Sequence, residues 1–270
     1  MDKNDPLLEE NLEDGTGSPT EDFEEAPNRR SPLLRLVALI TVLAFIGLVV
    51  ATSWPDQKIP LAELVSKSYQ LKNDTSTDLA QAVVLINVLS RSQGASIAVE
   101  QKTGTGFNID PSGVIITNHH VIEDTLNMTI TFPDGKVYKA ARWSSKPESD
   151  LAVIVLEAEG LPAVPVGTTT PPAPGDKIKL VGNPLALNSI MVEGNVGQYL
   201  RVKDMQGKIF SIDAPIYPGN SGSPVFNMNG QVVGVVFGSI SWQEGGNEKA
   251  AGVAVTIDEA LALISALHMQ

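Results

Sequence analysis

Ile212-Asp213-Ala214-Pro215-Ile216-Tyr217-Pro218-Gly219-Asn220-Ser221-Gly222-Ser223-Pro224-Val225 sets a serine between glycines, after an irregular stretch and before a β-type run. Glycine has no Cβ, so the chain can turn sharply there and aim successive amides at one point. Acyl transfer needs that geometry, because negative charge develops on a carbonyl oxygen and must meet donors already in place. A serine hydroxyl is a weak nucleophile alone. It needs an adjacent base, and the base needs a carboxylate to orient it. An ordinary Ser/Gly turn would use the same residues, so the partners decide.

The chain has three histidines, His119, His120 and His268, and any base is one of them. His268 is third from the last residue. His119 and His120 follow a β-type run, so on a strand they would face opposite ways. They could not then share a metal, and no third ligand stands at metal spacing; no metal site and no cofactor is expected. A surface histidine is the plain alternative for either. Ser149-Asp150-Leu151-Ala152-Val153 puts an acid directly before a buried-looking strand, although a turn carboxylate would look the same. The chain order is His, Asp, Ser, with 30 residues from His120 to Asp150 and 71 from Asp150 to Ser221. That is the chymotrypsin-like order. An α/β-hydrolase elbow would want glycine at position 223, where Ser223 stands, and a histidine after the serine, where only His268 is found.

Around these residues, short β-rich runs alternate with turn signals. The runs are 82–88, 106–110, 114–118, 128–132, 151–156, 177–181, 208–212, 231–237 and 251–255. Asp110-Pro111-Ser112-Gly113, Pro133-Asp134-Gly135 and Asn229-Gly230 lie between them. This spacing predicts an all-β barrel or sandwich, and the length accommodates two barrels of about 90 residues each. Apolar residues at helical spacing predict one helix over Ile257–Leu267.

Five segments together resemble the successive signatures of HtrA-type trypsin-like peptidases: 103–122 (TGTGFNIDPSGVIITNHHVI), 149–153 (SDLAV), 181–184 (VGNP), 212–225 and 252–255 (GVAV). They occur in the family's order across roughly residues 82–267. The resemblance implies a chymotrypsin/trypsin-like double β-barrel with the site in the cleft between barrels. It implies that His120, the histidine before the valine, is the base, that Asp150 orients it and that Ser221 is the nucleophile. The amides of Gly219 and Ser221 would form the oxyanion hole. Asp213 looks structural, and Asn118 reads as a turn residue.

The sequence departs from the pattern in three places. Ser223 stands where a second glycine is usual, which the backbone tolerates if φ there is negative. The sequence stops after the helix where HtrA proteins continue into a PDZ module, so PDZ-gated sensing is expected to be absent. The middle loops are short, and the family's trimer contacts are not identifiable, so homo-oligomerisation stays open. In trypsin-like folds the residues before the nucleophile and the strand after it wall the primary specificity pocket. Here those are Ala214, Pro215 and Ile216, then Val235, Val236 and Phe237; Pro215, Ile216, Val236 and Phe237 are the candidate lining residues. None is charged. A basic side chain would lose hydration without a partner, at several kcal/mol, whereas a small aliphatic one gains about 1.5–3 kcal/mol on burial.

Composition bounds the partners. Net charge is −12, which disfavours nucleic acid. The absence of cysteine excludes a cysteine protease, a disulfide scaffold and a cysteine-ligated metal. Residues 1–31 are acidic and without periodicity, and read as a disordered cytoplasmic tail. Leu36–Trp54 holds no charge over 19 residues, about 28 Å as a helix, and predicts a single transmembrane helix over 33–54. Arg29, Arg30 and Arg35 precede it and Trp54 closes it. Positive-inside reasoning therefore puts the tail in the cytoplasm and the rest outside, in a single-pass membrane protein of bacterial type. The acidic tail is far longer than the n-region of a cleaved signal peptide. Residues 55–80 read as a linker, with a short helix around Leu61–Leu71, and 81–270 as the trypsin-like domain. Two functions fit. One is an endopeptidase acting on exposed or unfolded protein segments. The other is a catalytically silent relative that binds peptides or scaffolds a membrane complex. The complete set of three side chains favours the first.

Overall fold

The computed structural model describes residues 41, 77–91, 99–167, 170–183, 190–244 and 247–267. The apolar run 36–54, apart from Thr41, lies outside them, as do the 61–71 segment and His268. Among the described residues no helix is long and apolar enough to cross a membrane.

Twelve strands close into two antiparallel barrels. The first contains β1 (Val83–Arg91), β2 (Val99–Asn108), β3 (Val114–Thr117), β4 (Thr125–Thr131), β5 (Val137–Lys146) and β6 (Leu151–Leu156), in the order β1-β2-β3-β6-β5-β4. The second contains β7 (Lys177–Gly182), β8 (Ile190–Leu200), β9 (Ile209–Asp213), β10 (Pro224–Asn227), β11 (Val232–Glu244) and β12 (Asn247–Thr256), in the order β10-β11-β12-β9-β8-β7. A short helix, Thr77–Gln81, leads into the first barrel, and the helix Ile257–Leu267 follows the second. The all-β double barrel with a C-terminal helix is thus the observed architecture.

Why the strands read as they do follows from three apolar layers. Val84, Ile86 and Val88 point into the first barrel with Ala152, Ile154 and Leu156. Val225, Val233, Val236 and Ala254 point into the second with Ile178 and Phe210. The intervening residues Val83, Leu151, Val153, Phe226, Val232, Val235 and Val255 pack with Phe107 and Ile116 into a third layer, the seam between the barrels. A strand with one face inside a barrel and the other in the seam is buried on both sides, so its sequence runs apolar without alternation, as in Leu151–Leu156. Ala80, Ala82, Ile257 and Ala260 complete the seam, so the folded unit already includes the helix before residue 81. Phe107, Phe210 and Phe226 are fully buried, one at least in each of the seam and second-barrel layers.

Three strands depart from the expectation: β5, β8 and β10 have no counterpart among the apolar runs. β5 presents alternating exposed and half-buried residues, with Arg142 and Trp143 outside. β8 is interrupted by Gly194 and Gly197, which let Asp213 and Ser211 of β9 approach: a Cβ at position 194 would lie 2.6 Å from the Asp213 carbonyl oxygen, and one at 197 would lie 2.2 Å from Ser211 Oγ.

Candidate active site

His119 and His120 do not continue the β3 strand. The chain turns at Asn118 into a single helical turn, His119–Ile122, which buries Val121 and Ile122 in the first barrel. Successive residues on a helix diverge by about 100°, so the two rings separate as expected but for a different reason. His119 Nδ1 lies 2.9 Å from Ser145 Oγ, and its Nε2 3.9 Å from Glu123 Oε1. His120 turns the other way, with Nδ1 2.7 Å from Asp150 Oδ2.

Asp150 follows a 3-10 turn, Pro147–Ser149, and takes the left-handed conformation at φ 48°. Its amide donates to the Pro147 carbonyl. Both carboxylate oxygens are engaged by one residue: Oδ1 accepts the His120 amide at 3.0 Å, and Oδ2 faces the ring. A carboxylate only accepts, so His120 Nδ1 carries the proton and Nε2 is left as the acceptor. Asn118, expected to be a turn residue, does more than end the strand. It is fully buried, and its Nδ2 donates to the Asp150 carbonyl at 2.8 Å. It therefore fixes the peptide that carries the acid relative to the helical turn that carries the base. A buried asparagine at a strand end, next to histidine, was the available signal.

Ser221 belongs to the second barrel. Gly219 (φ 94°) and Gly222 (φ 86°) flank it in conformations that L side chains rarely adopt. At Gly222 the approach is also close, since a Cβ there would fall 1.9 Å from the Thr105 carbonyl oxygen. Within the loop, Asn220 N donates to Tyr217 O and Ser223 N to Asn220 O, each at 3.0 Å, and Gly222 N donates to Val236 O at 2.8 Å. Among the described residues the amides of Gly219 and Ser221 donate to nothing. Ser221 Oγ likewise makes no hydrogen bond there, and none closes from His120 Nε2. Such contacts tighten on substrate binding, so a long apo distance is compatible with a working pair.

Ser223 keeps φ out of the positive range, which is why a side chain is tolerated where a glycine was anticipated. Its hydroxyl occupies space over Gly182: a Cβ at 182 would lie 2.3 Å from Ser223 Oγ and 2.7 Å from Asn220 Oδ1. Of the candidate pocket residues, Ile216 is half-buried and lies over Gly252, where a Cβ would meet its Cγ1 at 2.4 Å. Phe237 is half-buried at a bulge between Val236 and Gly238. Pro215 is exposed. Val236 differs from expectation: it is fully buried in the interior of the second barrel. Asp213 is exposed at the end of β9.

Residues 104–235 match the family model described as "Trypsin-like peptidase domain". Residues 104–235 are a trypsin-like peptidase domain. The chain is 39% identical over 140 residues to the probable periplasmic serine endoprotease DegP-like of Chlamydia pneumoniae, covering 50% of this chain and 28% of that one. It is 30% identical over 216 residues to the mitochondrial serine protease HTRA2 of Bos taurus, covering 74% and 47%. The chain thus spans about half or less of these relatives. Among solved structures, the Rv3671c protease from M. tuberculosis in its active form superposes with a TM-score of 0.61 at 25% identity, covering 73% of this chain and 85% of that one. The HtrA-type protease AlgW with a decapeptide gives 0.63 at 20% identity, covering 72% and 66%, and shares the fold.

Proposed function

We propose that the chain is a serine endopeptidase that hydrolyses peptide bonds in exposed or unfolded protein segments, through His120, Asp150 and Ser221. The observation that carries the reading is the 2.7 Å pairing of His120 Nδ1 with Asp150 in a peptidase domain whose serine loop keeps two amides without partners. Ser221 Oγ attacks the substrate carbonyl carbon while His120 Nε2 takes its proton. Asp150 holds the ring in the tautomer that leaves Nε2 free and stabilises the imidazolium that forms. The carbonyl oxygen becomes an oxyanion held by the amides of Gly219 and Ser221. His120 then returns the proton to the leaving amine, which departs and leaves an acyl-enzyme on Ser221. Water, deprotonated by the same nitrogen, cleaves the ester and restores the serine.

The apolar run 36–54, preceded by three arginines, supports a single membrane anchor with residues 1–31 in the cytoplasm and the peptidase domain outside it. The periplasmic naming of the Chlamydia relative supports the same orientation. Substrates are then extracytoplasmic proteins. A fluorophosphonate probe tests the enzymatic reading on the full-length chain in detergent: labelling should map to Ser221 and vanish in Ser221→Ala. Wild-type protein that neither labels nor degrades an unfolded protein would refute it. Protease added to intact, wall-stripped cells tests the topology, since it should reach residues after Pro55 and spare the tail.

A further inference from the structure

The serine loop is held from the opposite barrel as well as from within, and one residue, Thr105, makes both hydrogen bonds from that side. In β2, Gly104 and Gly106 face the interior of the first barrel, where a Cβ would lie 2.7 Å from Val121 and 2.8 Å from Ile86. Strand alternation therefore turns Thr105 the other way, toward the second barrel. Thr105 is fully buried. Pairing of β2 with β3 stops at Phe107↔Ile116, because the chain leaves the strand at Asn118. The edge of β2 at Thr105 is taken up by the serine loop instead.

Four hydrogen bonds meet at this residue. Thr105 N donates to the Ser221 carbonyl at 2.8 Å. Thr105 Oγ1 donates to the Gly219 carbonyl at 2.7 Å and accepts from the Asn183 amide at 3.0 Å. The Thr105 carbonyl accepts from Thr117 Oγ1 at 2.7 Å. The first two fix the peptide planes that follow Gly219 and Ser221. The plane between them is fixed by Ser223 N on the Asn220 carbonyl. The planes held by Thr105 carry the Asn220 and Gly222 amides, and the plane between them carries the Ser221 amide, so Thr105 clamps the backbone on both sides of that amide.

We infer that Thr105 is a positioning residue for acyl transfer: from the opposite barrel it clamps the peptide planes on either side of the Ser221 amide, and so makes the alignment of the serine loop depend on how the barrels are seated. This rests on the peptidase reading above. An enzyme hole pre-set by a neighbouring barrel stabilises the transition state more than the ground state, since the oxyanion exists only in the former. The loss on removing the Thr105 hydroxyl should therefore appear in kcat and not in KM.

The test uses the full-length chain in detergent, with Thr105→Val, Thr105→Ser and Thr117→Val. Active sites are titrated with fluorophosphonate, and cleavage is followed with a peptide p-nitroanilide ending in valine. Per titrated site, Thr105→Val should lower kcat about 10–100-fold, below the loss of a whole oxyanion donor, with KM within about twofold. Affinity for a peptide boronate, whose oxygen occupies the hole, should fall in parallel. Thr105→Ser keeps the hydroxyl and should recover most of the rate. Should Thr105→Val fail to fold, Thr117→Val, which removes the hydroxyl that donates to the Thr105 carbonyl, should show a smaller loss of the same kind. A labelled wild type alongside variants of unchanged kcat per site, or a loss shared equally by KM, overturns the positioning role alone. An unlabelled wild type overturns the peptidase reading and this role with it.

Discussion

The two barrels share strand number and closure, yet they build their halves of the site from different materials. The first contributes side chains: a histidine on a helical turn, an aspartate on a 3-10 turn, and a buried asparagine tying the two. The second contributes backbone: a loop whose positive-φ glycines and internal hydrogen bonds leave two amides without partners among the described residues. Acid–base chemistry depends on which group is ionised and which tautomer is held, so in the first barrel the chemical identity of a side chain is what matters. Oxyanion binding depends on where dipoles point, so in the second the absence of side-chain bulk matters more. The two halves should fail in different ways when altered.

The largest effect removes the reacting groups themselves. Ser221→Ala and His120→Ala should each lower kcat by about 10⁵–10⁶-fold, while His119→Ala, whose ring faces Ser145 and Glu123, should stay within a few-fold of wild type. Progress curves on an unfolded protein substrate check both, and strong loss in His119→Ala would reassign the base. Next comes Asp150→Asn, expected to lower kcat by about 10⁴-fold while leaving the melting temperature nearly unchanged. Asparagine tolerates the left-handed backbone that Asp150 adopts at φ 48°, but it can stabilise the wrong imidazole tautomer. An unfolded Asp150→Asn would mean that this carboxylate is structural first and chemical second, and would break the contrast between the barrels.

In the second barrel, crowding is the variable. Gly182→Ala should cost about 1–3 kcal/mol of stability by overpacking against Ser223 Oγ. Combined with Ser223→Gly it should cost much less, so a double-mutant cycle by denaturant unfolding should show strong coupling. Additive losses would show that the serine is accommodated by some other relaxation. The smallest effect concerns specificity. Cleavage is expected after Val, Ile, Ala or Leu, and Ile216→Ala should raise cleavage after Phe or Tyr relative to Val by about tenfold. A peptide-library profile reads this directly, and dominant cleavage after Arg or Lys would sink the apolar pocket.

Much of the architecture was legible because two-sided burial writes long apolar runs. Leu151–Leu156 and Ile257–Leu267 match their predicted spans residue for residue. Two of the three strands that escaped notice have an outer face that meets solvent or an inner face carved by glycine; the third, β10, is buried but spans only four residues, Pro224–Asn227. β5 carries Arg142 and Trp143 outward, and β8 needs Gly194 and Gly197 for close approach, so neither shows the apolar density that marks its neighbours. At the site, His120, Asp150 and Ser221 could be singled out as candidates because few alternatives exist in a chain with three histidines. Asn118 and Thr105 could not, since their roles arise from contacts 32 and 114 residues away along the chain. In retrospect the Gly104-Thr105-Gly106 alternation holds the clue: two inward positions too tight for a Cβ imply that the residue between them faces outward.

The helix Ile257–Leu267 follows the second barrel in sequence, yet it packs on β5 and β6 of the first as well as on β11 and β12, with Glu259 3.5 Å from Lys146. Translation delivers the chain in order, at about 5–20 residues per second. His120 therefore emerges first, Asp150 about 2–6 s later, and Ser221 about 4–14 s after that. The helix that laces the barrels together comes after even that. In the proposed triad the base and its carboxylate are thus synthesised before the nucleophile, and the helix that spans both barrels is made after all three.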